Sequence, residues 1–169
     1  MNRRSREGEV AAVCVSGRKG VRKDNVGEGV LRPGWGLEGD AHAGKWHRQV
    51  SLLAVESMEK LARSMKRAAP GEPPPVFRPG DFAENLTVRG LELFTILVGT
   101  RLRVGEEVVL EVTQIGKECH AGCAIRELTG DCVMPREGIF AKVIAGGKVK
   151  TGDRIRLAGP VSPRRPPAG

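Results

Sequence analysis

After Asp81 the chain consists of short runs in which apolar and polar residues alternate, and most are closed by a glycine. ENLTVRG, TRLRVGEE and EVVLEVTQI carry the alternation, with Gly90, Gly99, Gly105 and Gly116 as punctuation. A period of two puts Val108, Leu110 and Val112 on one face of a strand and Val109, Glu111 and Thr113 on the other. Strands this short cannot each bury a face alone; they must share a sheet or close a barrel. Composition points the same way. The 23 Gly and 11 Pro among 169 residues favour turns over long helices. With four Phe, two Trp and no Tyr, a core must be made of Val, Leu and Ile.

The first half is less regular. EVAAVCVS reads as a buried strand. Residues 17–48 form a polar, Gly-rich stretch with little periodicity, and a loop of that length in a compact domain is often functional. QVSLLAVE begins as a strand and turns helical. Val55, Met58, Leu61, Ala62 and Met65 recur at helical spacing, so residues 54–67 are expected to form an amphipathic helix. The proline cluster in AAPGEPPPVFRPGDF ends it and marks a surface excursion. Near the end, GIFAKVIAGG is a short apolar element. A turn at Thr151-Gly152-Asp153 leads into a last strand at residues 154–157, and a helical turn is expected at residues 125–128. The expected organisation is a flexible basic tail over 1–8, one domain over 9–158 and a disordered Pro-rich tail over 159–169. The expected fold is mainly β, a β-barrel with a few short helices.

The net charge is +8, and about half of it comes from the chain ends, where Arg3, Arg4, Arg6 and Glu7 give +2 and Arg164 with Arg165 give +2. The aromatic–basic interleaving of a single-strand binder is missing, which argues against nucleic acid. No stretch approaches the ~20 apolar residues of a membrane span, and MNRRSREGEV has no apolar core of a secretory signal. Four cysteines do not make a disulfide scaffold at this length. A reducing, cytoplasmic setting is expected, which leaves the thiols available for chemistry.

Three segments carry candidate chemistry. Lys117-Glu118-Cys119-His120-Ala121-Gly122-Cys123, with Cys132 beyond it, sets thiols among small residues and near cations (Lys117, His120, Arg126, Arg136), which favour the thiolate. Free cysteines are also common as small buried hydrophobes. A Cys₃His zinc site from Cys119, His120, Cys123 and Cys132 stays open, although adjacent Cys and His residues have difficulty reaching one ion. Gly39-Asp40-Ala41-His42-Ala43-Gly44-Lys45-Trp46-His47-Arg48 gathers an acid, two imidazoles and cations in a flexible loop. Its histidines could serve as acid–base groups or ligands, while Asp40 could equally cap a turn. Gly80-Asp81-Phe82-Ala83-Glu84-Asn85-Leu86-Thr87 places two acids and an amide ahead of a strand. Asn85 offers both donor and acceptor, and is also a common turn residue.

In their order and spacing these segments resemble a MOSC domain, named for the C-terminal region of molybdenum-cofactor sulfurases. The resemblance runs from about Val10 to Leu157. It rests on Gly39-Asp40-Ala41-His42, Arg48-Gln49-Val50-Ser51-Leu52-Leu53, Gly80 to Leu86, Val98-Gly99, Val112-Thr113-Gln114 leading into Cys123, and Gly138 onward to Gly152-Asp153. It implies a MOSC-type β-barrel like the small stand-alone bacterial members. It also implies a key cysteine at Cys123, which would ligate molybdenum or hold a persulfide. Asp40, His42, Lys45, Arg48, Asn85, Lys117 and Arg136 would then surround a molybdenum–pterin cofactor, with the basic groups meeting its anionic phosphate. Pyridoxal phosphate would enter only through a partner cysteine desulfurase, and a molybdenum-cofactor biosynthesis protein is the other expected partner. Many relatives carry Pro before the cysteine and Lys two residues after it. Gly122 and Ile125 stand there in this chain, and Cys119 and Cys132 are additional thiols able to resolve a persulfide as a disulfide. The alternative to this function is a non-enzymatic, Cys/His zinc-stabilised barrel that binds a protein partner. The three segments are expected to meet at one pocket.

Overall fold

The alternating strands close on themselves. The structure, a computed structural model, describes residues 5–116 and 133–158. Seven strands form a closed ring: β1 (Glu7–Val15), β11 (Arg154–Ala158), β7 (Arg101–Val104), β8 (Val108–Ile115), β9 (Ile139–Ala145), β5 (Val50–Ala54) and β6 (Leu86–Arg89), which returns to β1. Closure removes exposed edges that would otherwise invite pairing with other chains. The neighbours are antiparallel except β5 and β6, which run parallel. A parallel pair needs a crossover, and here the helix α1 (Val55–Ala68) provides it.

The expected β8 faces are the observed ones, with Val108, Leu110 and Val112 buried. The barrel interior is almost wholly aliphatic: Val10, Val13, Leu52, Leu86, Val88, Leu102, Leu110, Ile139 and Ile155 are all fully buried. A second apolar cluster lies outside the barrel wall, where Met58 and Leu61 of α1 cover Leu53, Phe82, Val133, Met134 and Phe140. Burying each such side chain is worth about 1.5–3 kcal/mol. The helix matches the expected span to within a residue. Lys66 and Arg67 lie in its last turn, where the dipole favours cations. The proline segment after it is largely exposed, apart from Phe77, which packs edge-on against Phe82 at 5.0 Å.

Two expectations are corrected. β1 starts at Glu7, ahead of the residue 9 expected, because Glu7 and Gly8 pair with Arg156 and Ile155. The stretch over residues 17–48 is not one loop. It contains β2 (Asp24–Asn25), β3 (Glu28–Arg32) and β4 (Gly36–Leu37). β2 pairs antiparallel with the end of β1, while β3 pairs with β4 and with β10 (Gly147–Lys150) in a separate three-stranded sheet. The turn expected at residues 151–153 is present and carries the chain from that sheet back to the barrel. Its Asp153 side chain accepts from the Lys150 N–H at 3.0 Å. A one-turn helix, α2 (Met134–Glu137), precedes β9. The helical turn expected at 125–128, the first half of the N-terminal tail (residues 1–4) and the whole C-terminal tail (159–169) lie outside the described residues.

Candidate functional site

The β1–β2 hairpin starts the site. Its connection runs from Ser16 to Lys23, which brings these two residues close together at its base. Lys23 is held there from behind. Its N–H donates to Gly80 O at 2.9 Å, and Gly80 takes a left-handed backbone (φ 89°). Any Cβ on Gly80 would collide with the Lys23 carbonyl, so glycine is required at that crossing.

With its backbone fixed, Lys23 turns its side chain inward. The Lys23 and Asp40 side chains are both fully buried, and Lys23 Nζ lies 2.7 Å from Asp40 Oδ1. Nζ also lies 3.1 Å from Ser16 Oγ and 3.2 Å from His42 Nδ1. Asp40 completes the knot by accepting from Ser16 N at 3.1 Å and from His42 N at 3.0 Å. Burial alone would raise the Asp40 pKa. The hydrogen bond and charge of Lys23, with the two backbone donors, outweigh burial and hold the carboxyl below its ordinary value. Of the two roles open to Asp40, capping is thus observed, and Lys23 adds an ion pair to it.

From this knot the loop carries its next residues outward. Trp46 Nε1 donates to His42 O at 2.8 Å, and the two rings lie nearly parallel, 6.3 Å apart. Lys19 Nζ sits 4.9 Å from the Trp46 ring centre and Arg48 Cζ sits 5.9 Å from it, both within cation–π range. Arg48 also donates from Nε to Gln114 Oε1 at 3.1 Å, and His47 Nε2 lies 2.9 Å from the same oxygen. Gln114 Nε2 donates in turn to Gly116 O at 2.8 Å. Lys45 is exposed on the same loop. The result is an indole with Lys19 and Arg48 over its ring and His42 stacked against it, joined to the residue that immediately precedes the cysteine-bearing stretch. Such a cationic surface suits an anionic ligand.

The predicted residues fall into separate groups. Asp40, His42, Lys45 and Arg48 share this loop. Asn85 is completely buried and used internally. Its Oδ1 accepts from Ser51 N at 3.0 Å and from Ser51 Oγ at 3.2 Å, and its Nδ2 donates to Cys14 O at 3.1 Å. It clasps β1, β5 and β6 and shows no surface to a ligand. Its segment reaches the Asp40 loop indirectly, through the Gly80 grip on Lys23. Arg136 is exposed on α2 and lines a cleft of about 710 Å³ with Lys60, Ser64 and Arg67 of α1. Cys123, Lys117, Cys119, His120 and Cys132 lie outside the described residues, so the zinc constellation does too. Among the described residues no cluster of His, Cys, Asp or Glu could hold a metal ion. Cys14 is fully buried in β1. Burial first, and then the nearby Glu84 charge, push its thiol up to about 12, which removes it as a nucleophile.

Lys23, Lys19, Ser16 and Gln114 were not legible as site residues. Lys23 looks like one more cation in RKGVRKDN, and nothing local marks it as buried. Trp46 did carry a signal, being a large aromatic inside a glycine-bearing loop.

No curated protein sequence matches the chain. Solved structures do. The YuaD protein of Bacillus subtilis superposes with a TM-score of 0.70 at 19% identity, covering 89% of this chain and 95% of that one. YiiM of Escherichia coli gives 0.64 at 24% identity, covering 92% and 72% respectively. YiiM of Geobacillus stearothermophilus gives 0.62 at 17% identity, covering 89% and 75%. At these identities the likeness concerns the fold. Among the described residues no helix is long and apolar enough to cross a membrane. The MOSC domain profile matches residues 39–156, from the glycine before Asp40 to the last barrel strand, and on that match the chain belongs to the MOSC domain family.

Proposed function

We propose that this MOSC domain binds a molybdenum–pterin cofactor, carries sulfur on Cys123, or does both in turn, within a reducing cytoplasm. The observation behind this reading is the pair of cations at Trp46. Lys19 and Arg48, both over the Trp46 ring, give a cationic surface that supports binding of a phosphate-bearing ligand, and Gln114 ties Arg48 to Gly116, close in sequence to Cys123. Lys45, Arg48 and Lys117 are the proposed phosphate contacts, with charge-assisted hydrogen bonds supplying affinity. Asp40 and His42 shape the wall beneath them. Arg136 contributes from the α1 side. When bound, molybdenum would supply oxygen- or sulfur-transfer chemistry.

As a carrier, the Cys123 thiolate attacks the outer sulfur of a persulfide on a cysteine desulfurase. The S–S bond there breaks, the desulfurase thiolate leaves, and Cys123 holds the sulfur with no net change in oxidation state. Pyridoxal phosphate stays with that partner. The acceptor would be a molybdoenzyme, a molybdenum-cofactor biosynthesis protein or a metal–sulfur centre under assembly. Protein purified from its own cell should carry pterin with molybdenum, or a one-sulfur mass increment on the Cys123 peptide. Cys123→Ser should remove the sulfur increment. Stoichiometric zinc, with neither pterin nor added sulfur, would replace this reading with the zinc-stabilised barrel.

A further inference from the structure

A regular strand sends successive side chains to opposite faces. β8 obeys this from Val108 to Val112 and then stops. Thr113 and Gln114 are adjacent, yet both reach the segment that carries His47 and Arg48. The cause is an irregularity in the β8–β9 ladder. Val112 pairs with Ala141 and Gln114 with Phe140, which makes Thr113 the extra residue of a β-bulge. Thr113 Oγ1 donates to His47 O and lies 3.2 Å from Phe140 O. Gln114 is oriented at both ends of its amide. Its Nε2 donates to Gly116 O at 2.8 Å, which turns Oε1 toward Arg48, whose Nε–H donates to it at 3.1 Å. The Arg48 guanidinium is further held by two rings, with Cζ 5.9 Å from the Trp46 centre and 5.4 Å from the Phe140 centre. Its terminal nitrogens, Nη1 and Nη2, hydrogen-bond to nothing among the described residues. They are not sealed in either, because among the described residues no buried side-chain nitrogen or oxygen lacks a partner. A guanidinium fixed through Nε thus presents its outer N–H groups to solvent, as the fork that meets two oxygens of one anion.

We propose that the β8 bulge makes Gln114 a positioning residue for Arg48, and that the Arg48 fork takes two oxygens of a phosphate monoester. This rests on the proposed function and deepens it, by naming the group that orients the ligand and the residue that orients that group. A phosphate dianion is favoured over a carboxylate by the charge of the surface. Lys19 lies over the same Trp46 ring and Lys45 is exposed on the same loop. Asp40, the acid of that loop, is already neutralised by Lys23.

The test is ¹H–¹⁵N NMR on the full chain with labelled arginine, titrated with methyl phosphate and, separately, with acetate. In wild type the Arg48 Nε–H is expected to exchange slowly with water, to shift on titration, and to saturate at a lower concentration of methyl phosphate than of acetate. Gln114→Met keeps the side-chain length and removes the acceptor. It is expected to lose the slow exchange of the Arg48 Nε–H and to weaken methyl phosphate binding by about three- to tenfold, with a nearly unchanged melting temperature. Arg48→Lys keeps the charge and removes the fork. It is expected to weaken methyl phosphate by about tenfold and to erase the preference over acetate. A wild-type Arg48 that does not respond to methyl phosphate overturns the proposal without recourse to any variant. So does a Gln114→Met protein with wild-type Arg48 exchange and affinity, or an Arg48→Lys protein that keeps the preference. Methyl phosphate carries no pterin, molybdenum or transferable sulfur, so failure here is separable from failure of the cofactor reading.

Discussion

Asp40 and Glu84 are both buried carboxylates in glycine-led turns, and the fold treats them in opposite ways. Asp40 is given a buried cation and two backbone N–H groups, and its pKa falls below the ordinary value. Glu84 is fully buried and surrounded by dipoles. It accepts from Phe82 N at 3.2 Å and from Thr87 Oγ1 at 2.7 Å. Desolvation outweighs those bonds and raises its pKa to about 7. The two motifs look alike in sequence. One encloses a permanent ion pair under the candidate site, and the other encloses a carboxyl that exchanges its proton near neutrality. Burial of an acid alone therefore does not show whether it is charged; its partner does.

The largest effect should come from breaking the pair. Asp40→Ala leaves the Lys23 ammonium buried without compensation, and should cost about 3–5 kcal/mol in a denaturant titration. Lys23→Met/Asp40→Leu should recover much of that loss, because a buried pair need not be a net stabiliser. A double variant as unstable as the sum of its singles would break the comparison, since it would mean the two side chains do not interact.

Glu84 should appear in the pH dependence. Its folded pKa lies above the ordinary carboxylate value of 4.5, so the native state binds more protons between pH 4.5 and about 7. Its contribution to stability is complete below that window and is lost as pH rises through about 7, by roughly 3 kcal/mol at most. Asp40 has the opposite sign. Its stabilisation is present above the unfolded value of 3.8 and is lost as pH falls below it. Glu84→Gln should flatten the fall in stability toward neutral pH and leave the acid limb intact. If the neutral-pH slope is unchanged in Glu84→Gln, the assignment of that slope to Glu84 is wrong.

Asn85 sharpens the comparison as a buried polar group without charge. Asn85→Ala should cost roughly 1–3 kcal/mol by stranding Ser51 N and Cys14 O. That cost should be the same at pH 5 and pH 8, by thermal or chemical unfolding. A pH-dependent cost would mean that Asn85 acts through the titration of Glu84.

The barrel was readable because its strands announce themselves locally. Val108, Leu110 and Val112 alternate with polar neighbours, and Val55, Met58, Leu61 and Met65 keep helical spacing. The three-stranded sheet was not readable. β3 contains Gly29, and its ladder partner β10 lies more than a hundred residues away, so no local pattern describes the pairing. The candidate site divided in the same way. Asp40, His42 and Arg48 stand in one motif and were found there. Lys23 joins them only through the β1–β2 hairpin and the Gly80 crossing, which are tertiary facts. Asn85 has the chemistry of a recognition group, because an amide offers both donor and acceptor. Its burial between three strands could not be known from its neighbours in sequence.

The central claim is that a thiol serves this site and that the thiol is Cys123, in contrast to Cys14 sealed inside β1. Peptide-resolved mass spectrometry of protein isolated from its own cell, with intact-protein spectra for bound pterin, tests it most directly. The account predicts molybdenum–pterin in the intact protein, or one added sulfur on the Cys123 peptide, and an unmodified Cys14 peptide. Protein free of pterin, with an unmodified Cys123 and added sulfur confined to another cysteine, would contradict it.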